Sequence, residues 1–552
     1  MLELCKGLNI LQQQKIISQI DYNFASFVYN IQKNDNVTLA ACLLSYDERQ
    51  GNICLDLSAI AGSKNFVDDD FAGVQMPVFD EWIKDLNSHP WVAEKQYPAP
   101  LVLDNNLLYL GKRWFEETGL AENIKSRLKS NIDNVSCADE DIKTSLKYNF
   151  SVINGGPGSG KTTIVLKILT ALLQQNDNLK IALAAPTGKA ADRLKQSIDN
   201  NPEYKNLNEN NKNWQDPKTI HRLLKQDKIK GGYRYNQNKQ LPYDLIIVDE
   251  ASMVSLSMMF ALFVAIKKTS KIILIGDYNQ LEAVEAGDVF ASVCGTGYTN
   301  SPEIAKHITQ LTESYRFKID GGIYNVLQSI NNNNPKKALD DFILNPKYKD
   351  ITLIEPDADE NEDTMNRALD CFLENYKHSP KNITEALGNL KKISCLATTN
   401  KTVDDFNQLA QQKIQKLSNI TTNIYNGKPL MITQNDYNLN VFNGDCGVLW
   451  QNDNGSYKLH LSDEQEIDFN QLKNYKTAYA ITTHKSQGSE YDKIIMLLPA
   501  KYNKILSLQL IYTAISRAKK NVVIIGTRDI FIKACNNKTT RTGYLNHRLG
   551  WK

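Results

Sequence analysis

Residues 151–168 read SVINGGPGSGKTTIVLKI, and this stretch decides how the chain around it folds. A short apolar run, Val152-Ile153, leads into a glycine-rich loop, and Lys161-Thr162 then open an amphipathic helix. The pattern G-x-x-x-x-G-K-[ST] between a strand and a helix is typical of a loop whose backbone N–H groups cradle phosphate oxygens. The sequence therefore predicts a nucleotide-binding α/β domain built around this loop.

Each residue type in the loop contributes to phosphate or metal binding in a different way. Glycines let the backbone turn inward around phosphates, and the start of the helix adds its positive end. Lys161 is predicted to reach the β- and γ-phosphates, and the Thr162 hydroxyl to bind Mg²⁺. We expect ATP and Mg²⁺ as ligands, with the nucleotide bound by Gly155, Gly156, Pro157, Gly158, Ser159, Gly160, Lys161, Thr162 and Thr163.

Working outward from the loop, near-continuous apolar runs alternate with helical segments, as in a doubly wound parallel sheet with an α/β fold. A second series of such runs follows without a phosphate loop, which indicates two tandem domains facing one another. The runs are IALAA at 181–185, LIIV at 245–248 and IILI at 272–275, then ISCLA at 393–397, IIMLL at 494–498 and VVIIG at 522–526.

The expected domains are a module at 1–115, a first domain at 116–305 and a second at 306–552. A small hairpin at about 228–241 is predicted to project from the first domain. Short strand-like segments with turns predict a β insertion at about 434–475 in the second. The N-terminal module has no catalytic cluster, so a docking or spacer role is its default interpretation.

Composition bounds the partners and the compartment. The net charge is only +2, but residues 1–115 carry −5 and the remainder +7, so the basic excess lies with the nucleotide loop. The nine cysteines are at least twelve residues apart, which excludes C-x-x-C metal sites and is typical of reduced thiols. The longest apolar run, 258–266, is too short to cross a bilayer. A soluble cytoplasmic protein is expected.

Polar residues follow the apolar runs where a nucleotide would lie. Asp249 can hold Mg²⁺, and Glu250 can polarise the attacking water. Gln280 can contact the γ-phosphate and act as a switch, or it can be a simple turn residue. Arg316 and Arg517, far down the chain, can supply positive charge to the transition state if they cross the cleft; by spacing alone, surface positions remain equally open.

Eight segments in order resemble the motifs of superfamily 1 helicases, in the branch that moves 5′ to 3′ on single-stranded DNA. They are GGPGSGKTT, APTGKAA, TIHRLL, DEAS, GDYNQLEAVEAG, LTESYRF, ITTHKSQGSEYD and LIYTAISRAK. The short N-terminal module and PLVLDNNLLYLGKRWFEE at 100–117 resemble, more closely, the RecD family, the alpha subunits of exodeoxyribonuclease V (the RecBCD enzyme). The helix-hairpin-helix repeats of the longer stand-alone RecD-like helicases are not found in the sequence.

The resemblance implies tandem RecA-like P-loop motor domains, a partner-docking N-terminal module and a β-barrel-like insertion in the second motor domain. It implies an ATPase set of Lys161, Thr162, Asp249, Glu250, Gln280, Arg316 and Arg517, with Glu490 on the ribose. It places Pro186, Thr187, Lys189, His221, Thr483 and His484 along DNA. Family members usually read adenine with a Gln upstream of the loop, but residues 121–154 contain none.

The function implied is that of an ATP-dependent 5′-to-3′ DNA helicase in recombinational repair. It would act on single-stranded and duplex-end DNA in the bacterial cytosol, in a heterotrimer with RecB-like and RecC-like subunits, with no membrane contact and no nuclease site of its own. Two other interpretations remain: a regulatory ATP-binding subunit that gates a partner nuclease without translocating, and a stand-alone repair helicase.

Overall fold

The computed structural model places most of the chain in five sheets and the helices that cover them. No helix in the part of the chain that it describes combines the length and the apolar character needed to span a membrane. The described residues are 2–66, 73–129, 139–201, 214–226, 231–357, 361–436, 438–461 and 465–552.

The first parallel sheet has six strands in the order β12-β7-β11-β10-β8-β9, so the phosphate loop leaves a central strand. Four of these strands are buried along their whole length, and two of them, β8 and β10, accordingly read as unbroken apolar runs. The strands are β7 (Phe150–Gly155), β8 (Ile181–Ala185), β9 (Trp214–Thr219), β10 (Leu245–Val248), β11 (Lys271–Gly276) and β12 (Ile308–Leu311). The helices are α6 (Gly111–Leu128), α7 (Glu140–Lys147), α8 (Lys161–Gln175), α9 (Gly188–Asp199), α10 (Ile220–Leu224), α11 (Leu256–Ala265) and α12 (Val289–Cys294).

The second sheet has five parallel strands in the order β13-β22-β21-β14-β20. Two parallel sheets in one chain confirm the predicted tandem α/β architecture. The strands are β13 (Ile351–Ile354), β14 (Ile393–Ala397), β20 (Ala480–Thr482), β21 (Tyr491–Leu497) and β22 (Ala518–Ile525). The helices are α13 (Gly322–Asn331), α14 (Pro335–Lys337), α15 (Asn361–Leu373), α16 (Ile383–Lys392), α17 (Asn400–Leu417), α18 (Leu508–Ser516), α19 (Arg528–Asn536) and α20 (Leu545–Arg548).

The predicted β insertion is an antiparallel sheet in the order β18-β17-β16-β15-β19. Its strands are β15 (Pro429–Ile432), β16 (Cys446–Gln451), β17 (Tyr457–Leu461), β18 (Glu466–Asp468) and β19 (Tyr475–Thr477). The insertion thus begins and ends slightly outside the predicted 434–475. Among the described residues, β18 and β19 are its edge strands.

The N-terminal module has its own apolar core under a small mixed sheet, in the order β1-β6-β5-β4. Its strands are β1 (Cys54–Asp56), β2 (Lys64–Asn65), β3 (Val74–Gln75), β4 (Val92–Glu94), β5 (Leu101–Asp104) and β6 (Leu107–Leu110). Its helices are α1 (Leu2–Gln13), α2 (Gln19–Ile31), α3 (Asp35–Arg49), α4 (Leu57–Ile60) and α5 (Phe79–Ser88). The other face of this sheet, including Tyr109, joins the core of the first motor domain.

Two predicted domain bounds differ from the strand pairing and packing of the structure. The boundary at 305/306 falls before β12, which still pairs with β7 in the first sheet. Residues 541–552 do not stay with the second sheet, because α20 and Trp551 pack into the core of the first. The hairpin at 228–241 remains a prediction, because residues 227–230 lie outside the described part. Antiparallel bridges join Gln226 to Tyr233 and Asn236 to Lys239. The partly buried Tyr233 and Tyr235 pack against that same core.

The C-terminal segment joins the N-terminal module to the first motor domain through a buried ion-pair cluster. Arg548 donates from Nε to Glu117 at 3.1 Å and from Nη2 to Asp104 at 2.8 Å. Glu117 is fully buried and also accepts from the Tyr109 hydroxyl at 3.1 Å. Its second oxygen accepts the backbone N–H of Tyr544 at 2.7 Å.

Arg548→Met should therefore lower the free energy of unfolding by about 3 kcal/mol, because it strands two buried carboxylates. Urea unfolding of the full chain measures this. The matched control is Arg528→Met, which breaks an exposed pair with Glu355 and should change stability by less than about 1 kcal/mol. Equal effects of the two substitutions would contradict a stabilising role for the buried ion-pair cluster.

Candidate functional site

The phosphate loop lies between the end of β7 and the start of α8, as predicted. Gly158 and Gly160 have φ values of +73° and +79°, in the left-handed region that favours glycine. Lys161 Nζ donates to the carbonyl oxygens of Gly155 at 2.6 Å and Gly156 at 3.0 Å. Burial lowers the pKa of Lys161, and the nearby carboxylates of Asp277 and Glu250 oppose this shift. The lysine side chain is thus folded over its own loop, where phosphate oxygens could replace the carbonyls.

The remaining loop residues differ in exposure. Ser159 is buried, and its hydroxyl has no partner among the described residues. Thr162 is partly buried and Thr163 is exposed, both in the first turn of α8. The carbonyl of Pro157 accepts a hydrogen bond from the Ser314 hydroxyl at 3.3 Å. The loop is therefore contacted from the segment that leads to the second sheet.

The acidic pair lies at the end of β10, two strands from the loop. Glu250 takes a left-handed conformation, φ +51°, and its backbone N–H donates to Asp249 Oδ1 at 2.9 Å. Burial raises the pKa of Asp249 to about 6, and the charge of Glu250 adds to this. Glu250 Oε2 is buried without a hydrogen-bond partner in the described part of the chain. Under-compensated carboxylate oxygens of this kind suit a divalent cation and its water ligands.

Gln280 and Arg517, predicted from opposite ends of the chain, are in direct contact. Arg517 Nη2 donates to Gln280 Oε1 at 2.8 Å, and each residue is only 3% exposed. Gln280 Nε2 donates in turn to Asp277 Oδ2 at 3.1 Å, and so does the Tyr512 hydroxyl at 3.1 Å. Because Tyr512 and Arg517 come with α18 of the second sheet, this buried network joins the two motor domains.

Arg316 lies directly over the phosphate loop. A Cβ atom built on Gly158 would come within 2.2 Å of the Arg316 Cβ, so the loop needs a glycine at this contact. The preceding Tyr315 donates its backbone N–H to the Gly158 carbonyl at 2.8 Å. The Arg316 guanidinium donates to the Ser516 carbonyl at 3.2 Å and to Glu490. Both predicted arginines thus reach the nucleotide end of the first sheet.

Glu490, which is predicted to contact the ribose, forms ion pairs with three cationic side chains. It pairs with Arg193 and Arg316, and Lys519 Nζ lies 3.6 Å from its second oxygen. Burial raises the pKa of Glu490, but the charges of Arg193, Arg316 and Lys519 outweigh burial and lower the pKa to about 2. The carboxylate is therefore ionised at neutral pH.

The predicted DNA residues lie at the carboxyl ends of strands in both sheets. Pro186 and Thr187 follow β8, and the Thr187 hydroxyl caps α9 by accepting from Ala190 N at 3.2 Å. His221 is exposed on α10. Thr483 is 1% exposed, so its hydroxyl is closed off from solvent in this arrangement, whereas His484 beside it is partly exposed.

The β insertion reaches these residues. The guanidinium of Arg222 lies 4.2 Å from the centre of the Phe442 ring and donates to Asn440 Oδ1 at 2.5 Å. The Phe442 ring also packs on Gly188, where an added Cβ would come within 2.9 Å of it. Lys189 lines a cavity of about 310 Å³ between α9 and the second motor domain.

The chain is similar to known proteins along nearly its whole length. A RecBCD enzyme subunit RecD from Haemophilus influenzae is 30% identical over 98% of this chain and 99% of that protein. The chain belongs to the RecD family. The RecD subunit of Mycolicibacterium smegmatis is also 30% identical to this RecD chain, over 93% of it and 94% of the relative. The ATP-dependent RecD2 DNA helicase of Deinococcus radiodurans is 27% identical, over 73% of this chain and 50% of that protein.

Family models match this RecD chain in three separate regions. The model for the N-terminal domain of RecBCD enzyme subunit RecD matches residues 13–109. An AAA domain model matches 138–286, and a UvrD-like helicase C-terminal domain model matches 477–525. Among solved structures, Bacteroides Pif1 bound to ssDNA covers 72% of this chain and 94% of its own, with 18% identity and a TM-score of 0.40.

Sequence reasoning missed three residues of this RecD chain that contact the predicted site residues or the phosphate loop. Tyr315 had a signal, because it directly precedes Arg316 in LTESYRF, and Tyr512 shares a helix with Arg517. Arg193, in the middle of α9, had none: a single arginine on an amphipathic helix is ordinarily a solvated surface residue.

Proposed function

We propose that this RecD chain is a motor subunit that moves 5′ to 3′ along single-stranded DNA in a complex with RecB-like and RecC-like subunits. By its family it is an ATP-dependent DNA helicase. The observation that carries the proposal is the Arg517–Gln280 hydrogen bond, since it joins the second sheet to the nucleotide end of the first. Closure of the two sheets on ATP can then be coupled to movement of a strand.

We propose that the loop from Gly155 to Thr163 holds the phosphates of ATP, with Lys161 exchanging its carbonyl partners for phosphate oxygens. Thr162 and Asp249 would hold Mg²⁺, a fit supported by the unpaired, buried Oε2 of the neighbouring Glu250. The metal neutralises phosphate charge when bound. The unpaired oxygen of Glu250 would accept a proton from the attacking water.

The two arginines would sense the γ-phosphate. Arg517 now bonds Gln280, and Arg316 bonds Glu490 and a backbone carbonyl. Both can exchange these partners for phosphate oxygens, since charge develops there in the transition state. After hydrolysis both arginines would return to these partners.

Nucleobase binding without an upstream Gln is assigned to Tyr315. Its ring is 74% exposed and lies about 3.4 Å from the Cβ position of Gly160, beside the loop that would hold the phosphates. Stacking of a base on an aromatic ring contributes about 1–3 kcal/mol.

Tyr315→Ala should therefore raise the KM for ATP about tenfold with a smaller change in kcat. Steady-state ATPase assays measure both constants. The control is Tyr502→Ala, which changes an exposed tyrosine outside the site. An unchanged KM for Tyr315→Ala would contradict base stacking on Tyr315.

Single-stranded DNA would cross the carboxyl ends of both sheets. Thr187, Lys189, His221 and His484 offer hydroxyl, cationic and imidazole donors there, and the insertion residue Phe442 covers the path beside Arg222. Donors of these types bind phosphates without reading bases, so sequence-independent and salt-sensitive binding is expected.

The N-terminal module would dock on the RecC-like subunit. One face of α2 exposes Ile20, Phe27 and Ile31, which are 64%, 53% and 43% accessible. Apolar residues at this spacing on one helix face are typical of a partner surface. We assign residues 1–115 to docking. We place the complex in the bacterial cytosol, which the free thiols of the described cysteines support.

The proposal is tested by strand displacement on duplexes with a 5′ or a 3′ single-stranded tail. The purified chain, alone or with its partners, should unwind the 5′-tailed duplex and show ATPase that DNA stimulates. A gating subunit would bind ATP without unwinding either substrate. A stand-alone helicase would unwind but would not co-purify with RecB-like and RecC-like subunits from native extract.

A further inference from the structure

Two arginines from different parts of the fold share a single carboxylate oxygen. Arg193 on α9 of the first motor domain and Arg316 over the phosphate loop both donate to Glu490 Oε1. The side chain of Glu490 is only 13% exposed, and its other oxygen has Lys519 at 3.6 Å. An ionised carboxylate in such surroundings has to keep compensating charge. The two arginines are therefore linked: when one leaves Glu490, the other has to hold it.

Arg193 connects this oxygen to the DNA path. It lies four residues after Lys189 on α9, so both side chains occupy the same face of the helix. Thr187, a proposed DNA contact, caps the start of α9. A shift of α9 along its axis therefore moves Arg193 relative to Glu490.

There is room for such a shift. The cavity of about 310 Å³ beside α9 is lined by Lys189, Arg193 and Gln196 on one side, and by Glu490, Tyr491 and Lys519 on the other. A tightly packed interface would resist a change in helix position, whereas this one leaves space between the helix and the second sheet. Arg193 bridges that space through Glu490.

We propose that Arg193 is a positioning residue that couples DNA binding on α9 to the release of Arg316 for catalysis. The inference rests on the proposed function and deepens it. Without DNA, Glu490 is shared and keeps Arg316 away from a γ-phosphate. DNA at the first turn of α9 moves Arg193 fully onto Glu490, and Arg316 is then free to reach the nucleotide. DNA-stimulated hydrolysis is the result.

The test compares Arg193→Gln with wild type in three measurements: the affinity for single-stranded DNA, the ATPase rate without DNA and the ATPase rate at saturating DNA. In the variant, the DNA affinity and the DNA-free rate should stay within about twofold, while the stimulation by DNA falls about tenfold, since allosteric couplings are typically of this size. Arg193→Lys keeps the positive charge and should recover part of the stimulation.

Lys195→Gln is the matched control. Lys195 lies on the same helix, and within the described residues its ion pair is with the exposed Asp216 at 2.9 Å, so stimulation of the Lys195→Gln variant by DNA should equal that of wild type. Full stimulation in Arg193→Gln would overturn the inference and leave the proposed function standing. Loss of DNA affinity together with stimulation would also overturn it, because Arg193 would then be a structural or DNA-binding residue. If DNA did not stimulate the ATPase rate of the wild type, the proposed function itself would be contradicted.

Discussion

Lys161→Gln should lower kcat/KM for ATP hydrolysis by about 10³-fold, because the residue supplies the only cation of the phosphate loop itself. Glutamine keeps hydrogen-bonding groups at that position but loses the charge. In the structure, Lys161 Nζ is held 2.6 Å and 3.0 Å from loop carbonyls, so it is already aimed at the space where phosphates would bind. Unwinding of a 5′-tailed duplex should be lost with the ATPase activity.

The matched control for Lys161 lies on the same helix. Lys167→Gln removes a lysine whose Nζ makes an exposed ion pair with Asp139 at 2.7 Å, and it should leave kcat/KM within about twofold. An ATPase activity in Lys161→Gln close to that of the control would mean that ATP is not bound at this loop. Thermal melting of both variants distinguishes loss of catalysis from loss of fold.

Arg517→Gln should lower kcat by about 10³-fold while the affinity for ATP changes little, because an arginine acting on the γ-phosphate contributes mainly in the transition state. Arg517 is 3% exposed, and its Nε has no partner within the described residues, so part of its hydrogen-bonding capacity is free for a ligand. Its bond to Gln280 would also be lost, which weakens the contact between the two sheets.

Binding and turnover have to be measured separately for Arg517. A fluorescent ATP analogue gives the affinity, and single-turnover hydrolysis gives the rate. Arg528→Gln, an exposed arginine paired with Glu355, serves as the control and should behave like wild type. If Arg517→Gln lost ATP binding and kept its rate of turnover at saturation, Arg517 would be a ground-state ligand and not a transition-state one.

The sequence predicted those parts of the molecule in which local chemistry has only one structural solution. The loop at 155–162 is confirmed, because its glycines and lysine suit phosphate binding in a strand-to-helix turn. The strands β8, β10 and β14 lie at the predicted residues, since buried parallel strands have to be apolar throughout. The spacing of the motifs did not decide whether Arg517 lies on the surface or reaches Gln280 across the cleft.

Other features depend on packing that local sequence does not record. The strand β9 reads WQDPKT, polar and with a proline, which is tolerated because it lies at the edge of the sheet. Trp551 returns to the first core by packing against Gly295, far away in sequence, where an added Cβ would come within 2.2 Å of the indole ring. Thr483 follows a buried strand and is itself buried, although its motif predicts a DNA contact. Each needs the partner surface before it can be predicted.

The central claim is that both sheets build one ATP site, and a structure of the chain with ADP–aluminium fluoride and single-stranded DNA tests it most directly. The account predicts that the guanidinium groups of Arg316 and Arg517 leave Glu490 and Gln280 and donate to the fluoride that replaces the γ-phosphate beside Lys161. A bound nucleotide with both arginines still on their present partners would contradict it.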